Sequence, residues 1–167
     1  KVLWTHTYDV AYEDWAFDPA QEIGPVATPI VRAGKVYTLG RLGHLFCLDA
    51  SKGDVSWQRN LQKDYQIAFA PGMPSPLIDG DLLILFIGGK PGAGVVALHK
   101  DTGNEVWKAL DESMTFSSPI VIESGGRRQL IVWTDESVTA LDPATGQTWW
   151  SQRLLTSTEY TVSTPVF

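Results

Sequence analysis

The sequence contains few of the residues that cross-link small domains through disulfide bonds or metal ions. It contains a single cysteine, Cys47, which excludes an intrachain disulfide and any metal site built from several cysteines. The three histidines, His6, His44 and His99, are scattered without the spacing of metal ligands. We therefore expect no metal site, and a fold that rests on its apolar core.

Long apolar runs, excess basic charge and a helical hydrophobic period are missing as well. The longest apolar run, 82–89, has the length of a strand and falls well short of the roughly 18 residues of a membrane span. A net charge of −6 argues against a nucleic-acid partner, which needs a basic surface. Residues 8–17, the only stretch of helical composition near the start, lack a sustained 3.6-residue period. These absences favour an all-β domain with no membrane span.

What the sequence does contain is a repeat. A Ser/Thr-Pro-aliphatic triplet begins at Thr28, Ser75, Ser118 and Thr164, so successive triplets lie 47, 43 and 46 residues apart. A glycine lies four residues before a tryptophan in three places: Gly53 and Trp57, Gly103 and Trp107, Gly146 and Trp150. The two anchors keep one order, which indicates a single repeated unit.

Four short strands, A to D, fit inside each unit, separated by turns rich in glycine, proline and aspartate. Strand A follows the proline, and strand D is expected to end on the tryptophan. Such a unit predicts a partial β-propeller of four-stranded antiparallel blades. The expected boundaries are blades at 28–74, 75–117 and 118–163, the end of one blade plus a long loop at 1–27, and a first strand at 164–167.

These parts amount to about three and a half blades, whereas a closed ring of seven or eight would need roughly 320 to 380 residues. An open propeller exposes unpaired strand edges, which native proteins avoid. We therefore expect the ring to be completed by remaining blades of the same protein or by a second copy of this chain. The chain begins at Lys1 rather than Met, which is expected of a processed or excised N-terminus.

The end of each unit resembles a known motif. The segments CLDASKGDVSW (47–57), ALHKDTGNEVW (97–107) and ALDPATGQTWW (140–150) are similar to the tryptophan-docking motif of the PQQ-like, or quinoprotein alcohol dehydrogenase-like, β-propeller repeat family. That repeat occurs in quinoprotein alcohol dehydrogenases, in the lipoprotein of the outer-membrane barrel-assembly machinery and in many secreted bacterial proteins. The chain departs from the motif where Cys47 replaces alanine and His99 replaces aspartate.

The motif residues have expected architectural roles. An indole offers a large apolar surface that fills the seam between two blades, a role expected of Trp57, Trp107 and Trp150. A tight turn between strands C and D needs a residue without a side chain, as supplied by Gly53, Gly103 and Gly146. Aspartates often cap such turns by accepting backbone N–H groups, as expected of Asp49 and Asp142.

A candidate binding face follows from antiparallel topology. The B–C and D–A connections emerge on one face and include the long segments 5–27, 58–74, 88–94, 108–117 and 151–163. They carry the aromatic residues Tyr8, Tyr12, Trp15, Phe17, Tyr65, Phe69, Phe116 and Tyr160, interspersed with carboxylates. Two interpretations stay open: the aromatics form an exposed binding surface, or they fold back over the blade tops.

Three functions are compatible with the resemblance. The favoured one is a non-catalytic scaffold that binds a protein or ligand, with no cofactor and no catalytic residue, in the bacterial periplasm, attached to the outer membrane or secreted. The alternative is a fragment of a dehydrogenase that oxidises alcohols or sugars with PQQ and calcium. Those enzymes use adjacent cysteines, which this chain lacks, and their calcium ligands and catalytic aspartate cannot be placed on it. A sensor domain of a larger protein is the third possibility.

Overall fold

The computed structural model describes residues 1–10, 26–67, 74–154 and 164. Within these ranges the chain forms three separate antiparallel sheets in sequence order, here called the first, second and third blades. The all-β, partial-propeller prediction is therefore confirmed. In the described part of the chain, no helix is long or apolar enough to cross a bilayer.

Each blade pairs its strands with their neighbours in sequence, as the short turns require. The first blade consists of β1 (Ile30–Arg32), β2 (Lys35–Leu39), β3 (His44–Asp49) and β4 (Val55–Asn60). After it come α1 (Leu61–Asp64) and the two-residue strand β5 (Gln66–Ile67). The second blade contains β6 (Leu77–Asp79), β7 (Leu82–Lys90), β8 (Ala93–His99) and β9 (Glu105–Ala109). The third contains β10 (Ile120–Ser124), β11 (Arg127–Trp133), β12 (Ser137–Leu141) and β13 (Thr148–Arg153).

The core lies between the blades because a central blade is covered on both faces. Side chains alternate across a strand, so Leu83 and Leu85 of β7 pack into the cluster shared with the first blade, while Ile84 and Phe86 pack into the cluster shared with the third. All four are buried. This two-sided burial explains why β7 is a continuous apolar run rather than an alternating one.

Three expectations about the elements are wrong. Strand D does not end on the tryptophan, because Trp57, Trp107 and Trp150 are each the third residue of a strand that continues past them. Strands C and D remain paired beyond the tryptophan, as the pairing of His44 in β3 with Asn60 in β4 shows.

The predicted loop 88–94 is a tight turn at the end of a longer hairpin. Strand β7 extends to Lys90 and β8 starts at Ala93, so only Pro91 and Gly92 lie between them. Gly88, with φ +62°, lies at a register shift inside the pairing instead of at the turn. A glycine with positive φ is suited to such a bulge.

The predicted loop 58–74 contains regular structure that the sequence pattern did not reveal. The end of β4, the single-turn helix α1 and the strand β5 all lie in it, and β5 pairs with β7 of the second blade. Asn60 caps α1 by accepting the backbone N–H of Lys63 at 3.2 Å. The connection thereby adds a fifth strand to the second sheet.

Candidate functional site

Tryptophans form hydrogen bonds between successive parts of the propeller. The indole Nε1 of Trp57 donates to the carbonyl oxygen of Lys100 at 2.9 Å, and that of Trp107 donates to Pro143 at 3.2 Å. Trp4, which precedes the first blade, makes the same contact with Ala50 at 2.9 Å. All three acceptors lie in the C–D turn of the following blade.

Two separate features require glycine in each C–D turn, the backbone conformation and the close approach of an indole. Gly53, Gly103 and Gly146 have φ between +72° and +77°, which disfavours any residue with a side chain. A Cβ placed on them would lie 2.6, 2.8 and 2.5 Å from Cε3 of the indole of the preceding blade. The sequence pattern indicated the turn; the close approach of the indole is visible only in three dimensions.

The turn aspartates accept backbone hydrogen bonds. Asp49 Oδ1 accepts the N–H groups of Ser51 at 2.8 Å and Lys52 at 3.0 Å, and Asp142 Oδ1 accepts that of Ala144 at 2.8 Å. Hydrogen bonds from the Ser51 hydroxyl and backbone hold the pKa of Asp49 below its usual value. In the second blade His99 Nδ1 accepts the N–H of Asp101 at 3.2 Å, so the histidine makes the same type of contact.

Trp150 differs from the other motif tryptophans. Its side chain is 44% exposed, and its Nε1 donates to Gln129 of its own blade at 2.9 Å. Within the described residues no further blade follows to receive it. The role expected for Trp150 therefore stays a prediction.

A second set of hydrogen bonds joins the blades at strand A. The backbone N–H of Thr28 donates to the hydroxyl of Ser75 at 2.9 Å, and Ser75 N–H donates to Ser118 at 2.9 Å. Ser118 N–H in turn donates to Thr164 at 3.4 Å. These contacts give a physical reason for the hydroxyl groups of Ser75, Ser118 and Thr164, each of which precedes a proline.

Three of the eight aromatics predicted for the binding face lie in the described residues, and none is fully exposed. Tyr8 is half-buried, with its ring centre 4.7 Å from that of Phe46 and 5.4 Å from that of His44. Phe116 is also half-buried. The other five lie outside the described residues: Tyr12, Trp15, Phe17, Phe69 and Tyr160.

Tyr65 is buried and links two blades. Its hydroxyl donates to Glu105 Oε2 at 2.6 Å across the seam between the first and second blades. Burial and this hydrogen bond raise the pKa of the phenol well above its usual value. Tyr65 therefore contributes packing and one charge-assisted hydrogen bond rather than an exposed ring.

The connection that leads into the third blade is held by a half-buried carboxylate. Glu112 Oε2 accepts the hydroxyl of Ser137, the first residue of β12, at 2.7 Å and also that of Thr134 in the B–C turn of the third blade. Ser137 is in turn 2.9 Å from Thr139, whose hydroxyl is 2.7 Å from Ser151. Nearby, burial raises the pKa of Asp135. This network had no sequence signal, because isolated hydroxyl residues carry no spacing pattern.

Among the residues that the structure describes, no three His, Cys, Asp or Glu side chains are placed to hold a metal ion. Cys47 is completely buried inside the first blade, where burial raises its pKa, and it is the only cysteine of the sequence.

Comparison with known proteins gives the same architecture. The family model described as outer membrane protein assembly factor BamB matches residues 1–166. BamB from Moraxella catarrhalis superposes with a TM-score of 0.55 at 23% identity, over 80% of this chain and 38% of that one. Quinohemoprotein alcohol dehydrogenase from Comamonas testosteroni superposes with a TM-score of 0.59 at 21% identity, over 78% of this chain and 21% of that one. The computationally designed Ika4 protein superposes with a TM-score of 0.52 at 15% identity, over 79% of this chain and 73% of its own.

No curated protein is significantly similar to the sequence. The chain spans well under half the length of the BamB and dehydrogenase structures that it matches. At these identities the structural matches establish the fold alone, whereas the family model covers nearly the whole sequence. Repeat, blade seams and family match agree, and the chain belongs to the PQQ-like β-propeller family of outer membrane protein assembly factor BamB.

Proposed function

We propose that this chain is part of a non-catalytic propeller scaffold that binds another protein in the bacterial envelope. The proposal rests on the contacts of the repeated motif residues, which join one blade to the next. Trp57 and Trp107 donate to the next blade and lie against its glycine, so the motif of the family builds seams. A rigid stack of blades presents the D–A and B–C connections side by side on one face.

The envelope location and the protein partner extend to this chain what the family description says of BamB, an outer membrane protein assembly factor. The motif tryptophans and glycines are proposed to be architectural, and the connections to be the binding surface. The aromatics of that surface, including Tyr8 and Tyr65, are proposed to pack the connections against the blades.

The dehydrogenase alternative is tested by adding PQQ and calcium to the full-length protein. We expect no shift of quinone absorbance, no rise in melting temperature and no alcohol-dependent dye reduction. Saturable PQQ binding with turnover of an alcohol or a sugar would contradict the scaffold proposal. A quinoprotein dehydrogenase assayed in parallel shows that the added cofactor is active.

A further inference from the structure

The connection 110–117 contacts both of the blades that it joins. On the second blade, the backbone N–H of Gly94 donates to the carbonyl oxygen of Leu110 at 2.8 Å. On the third blade, the hydroxyl of Thr115 donates to the carbonyl oxygen of Trp133 at 2.8 Å, beside the carboxylate contact described above. The docked position of this connection therefore depends on a small set of identified hydrogen bonds.

The connection begins with a strained backbone. Leu110 has φ +65°, in the left-handed region that residues with bulky side chains disfavour. Such a residue keeps this conformation only where its surroundings impose it. Here the backbone of Gly94 lies so close that a Cβ on it would be 3.0 Å from the carbonyl oxygen of Leu110. Because strain lowers the stability of the docked connection, a modest change in its other contacts alters how often it detaches.

The polar groups where β11 turns into β12 are paired with Glu112 and with one another. The hydroxyls of Thr134 and Ser137 donate to Glu112 Oε2. Thr134 Oγ1 itself accepts the backbone N–H groups of Glu136 at 3.2 Å and Ser137 at 2.9 Å. Asp135 lies between these residues, and its buried Oδ1 has no hydrogen-bond partner among the described residues. The hydroxyl donors of the turn thus serve one carboxylate and leave the other without them.

The surroundings of Asp135 disfavour its ionised form. Burial raises the pKa of the Asp135 carboxyl, and the charges of Glu136 and Glu112 raise it further, whereas its own backbone N–H and Lys90 of β7 oppose the rise. Glu136 and Lys90 are exposed, so solvent screens their charges, but Glu112 is half-buried. Loss of the Asp135 proton therefore places a second negative charge beside the carboxylate that holds the connection.

We propose that the connection 110–117 is a pH-dependent latch on the candidate binding face. It stays docked on the third blade while Asp135 is protonated, and it opens more often when Asp135 is ionised beside Glu112. Opening removes Leu110 and Met114 from the apolar cluster between the second and third blades and presents them at this face. The latch needs no partner, whereas its use in regulating partner binding rests on the proposed function.

Docking is strongest at low pH because Asp135 binds its proton more tightly in the docked state. With the connection detached, the carboxyl is open to solvent and titrates near its ordinary pKa of 3.8. The stabilising contribution is therefore complete below that pH, and it is lost as the pH rises through the higher pKa of the docked state.

The test is hydrogen exchange of the full-length protein at several values between about pH 4.5 and pH 7.5, expressed as protection factors so that the intrinsic effect of pH is removed. The Gly94 amide reports docking, because opening breaks its hydrogen bond to Leu110. We expect its protection to fall at least about threefold as the pH rises. In Asp135→Asn, which cannot ionise, protection should stay constant and should exceed that of the wild type at the highest pH.

Glu123→Gln is the matched control, because it removes an exposed carboxylate from the same blade near the A–B turn, on the opposite face. It should keep the pH dependence of the wild type. Amides of β3 in the first blade report global unfolding. If they show that Asp135→Asn is unstable, Asp135→Ala, which also cannot ionise, takes its place with the same expected result.

Two results would overturn the proposal. One is a Gly94 protection that does not fall with rising pH in the wild type, and the other is an equal fall in the variants that lack the Asp135 carboxyl. Either result would leave the scaffold function standing. Turnover with PQQ would reject the scaffold function and leave the pH dependence of exchange intact, so the two failures are distinguishable.

Discussion

The glycines of the C–D turns are the residues on which the seams depend most directly. Gly103 has φ +72°, and a Cβ on it would meet the indole of Trp57 at 2.8 Å. Gly80 also has a positive φ, +57°, but a Cβ there would meet nothing within 4 Å. The pair separates backbone strain from steric overlap.

We predict that Gly103→Ala lowers the free energy of unfolding by about 2–4 kcal/mol, because strain and overpacking add. The matched change Gly80→Ala should lower it by only about 1–2 kcal/mol, from strain alone. Urea unfolding followed by tryptophan fluorescence measures both. Equal losses for the two variants would show that the indole does not restrict the turn.

Tyr65 yields a prediction about pH. Burial and the hydrogen bond to Glu105 raise the pKa of the Tyr65 phenol in the folded state, whereas in the unfolded chain the phenol titrates at about 10. The folded state therefore holds the proton more tightly, and this contribution to stability is lost as the pH rises above about 10. We predict that Tyr65→Phe costs about 1–2 kcal/mol at pH 7 and flattens the decline of stability between about pH 10 and 11. An unchanged alkaline slope would contradict this assignment.

Among the elements, the connection from the second to the third blade is anchored by Glu112. Glu112 accepts two hydroxyl groups from the turn Thr134–Ser137. We predict that Glu112→Ala lowers stability by about 2 kcal/mol, because it leaves buried hydroxyls without their acceptor. Hydrogen exchange should become faster at the turn amides, whereas Glu136→Ala, an exposed change in the same turn, should alter neither quantity.

The strands were more predictable than the connections for a physical reason. Repeated apolar runs and glycine–tryptophan pairs mark strands in each unit, so β1 to β4 and β10 to β13 lie where the pattern placed them, apart from the ends of strand D. The error at 88–94 arose because Gly88 and Gly89 resemble a turn, whereas the turn is Pro91–Gly92. Helix α1 has four residues, too few for any period to register.

The sequence predicted which face of the propeller carries the candidate site, but not the contacts of its residues. The pattern of alternate connections put Tyr8, Tyr65 and Glu112 on the same face, but it could not indicate that Tyr65 is buried against Glu105. The hydroxyl groups around Glu112 carried no signal, because hydrogen-bond partners are set by the packing of segments distant in sequence. Sequence spacing reports local structure and is silent on such pairings.

At the scale of the whole molecule, two sets of hydrogen bonds join the described blades, one from the indoles and one to the Ser/Thr hydroxyls. We predict that Trp107→Ala, which removes a buried side chain, costs about 3–5 kcal/mol. Trp150→Ala should cost less than about 1 kcal/mol when this segment is studied alone, because Trp150 is 44% exposed. Chemical denaturation of the 1–167 segment tests both, and a large loss for Trp150→Ala would show that this indole is buried by a second copy.

The central claim is that the face carrying the connections binds a protein partner. It is tested most directly by site-specific photo-cross-linking in intact cells of the native host, with a benzophenone amino acid at Glu136 on that face or at Lys52 in the C–D turn opposite; both positions are exposed. Our account predicts a discrete light-dependent protein adduct from position 136 and none from position 52. Adducts of equal yield from both positions, or no adduct from 136 in a folded full-length protein, would contradict it.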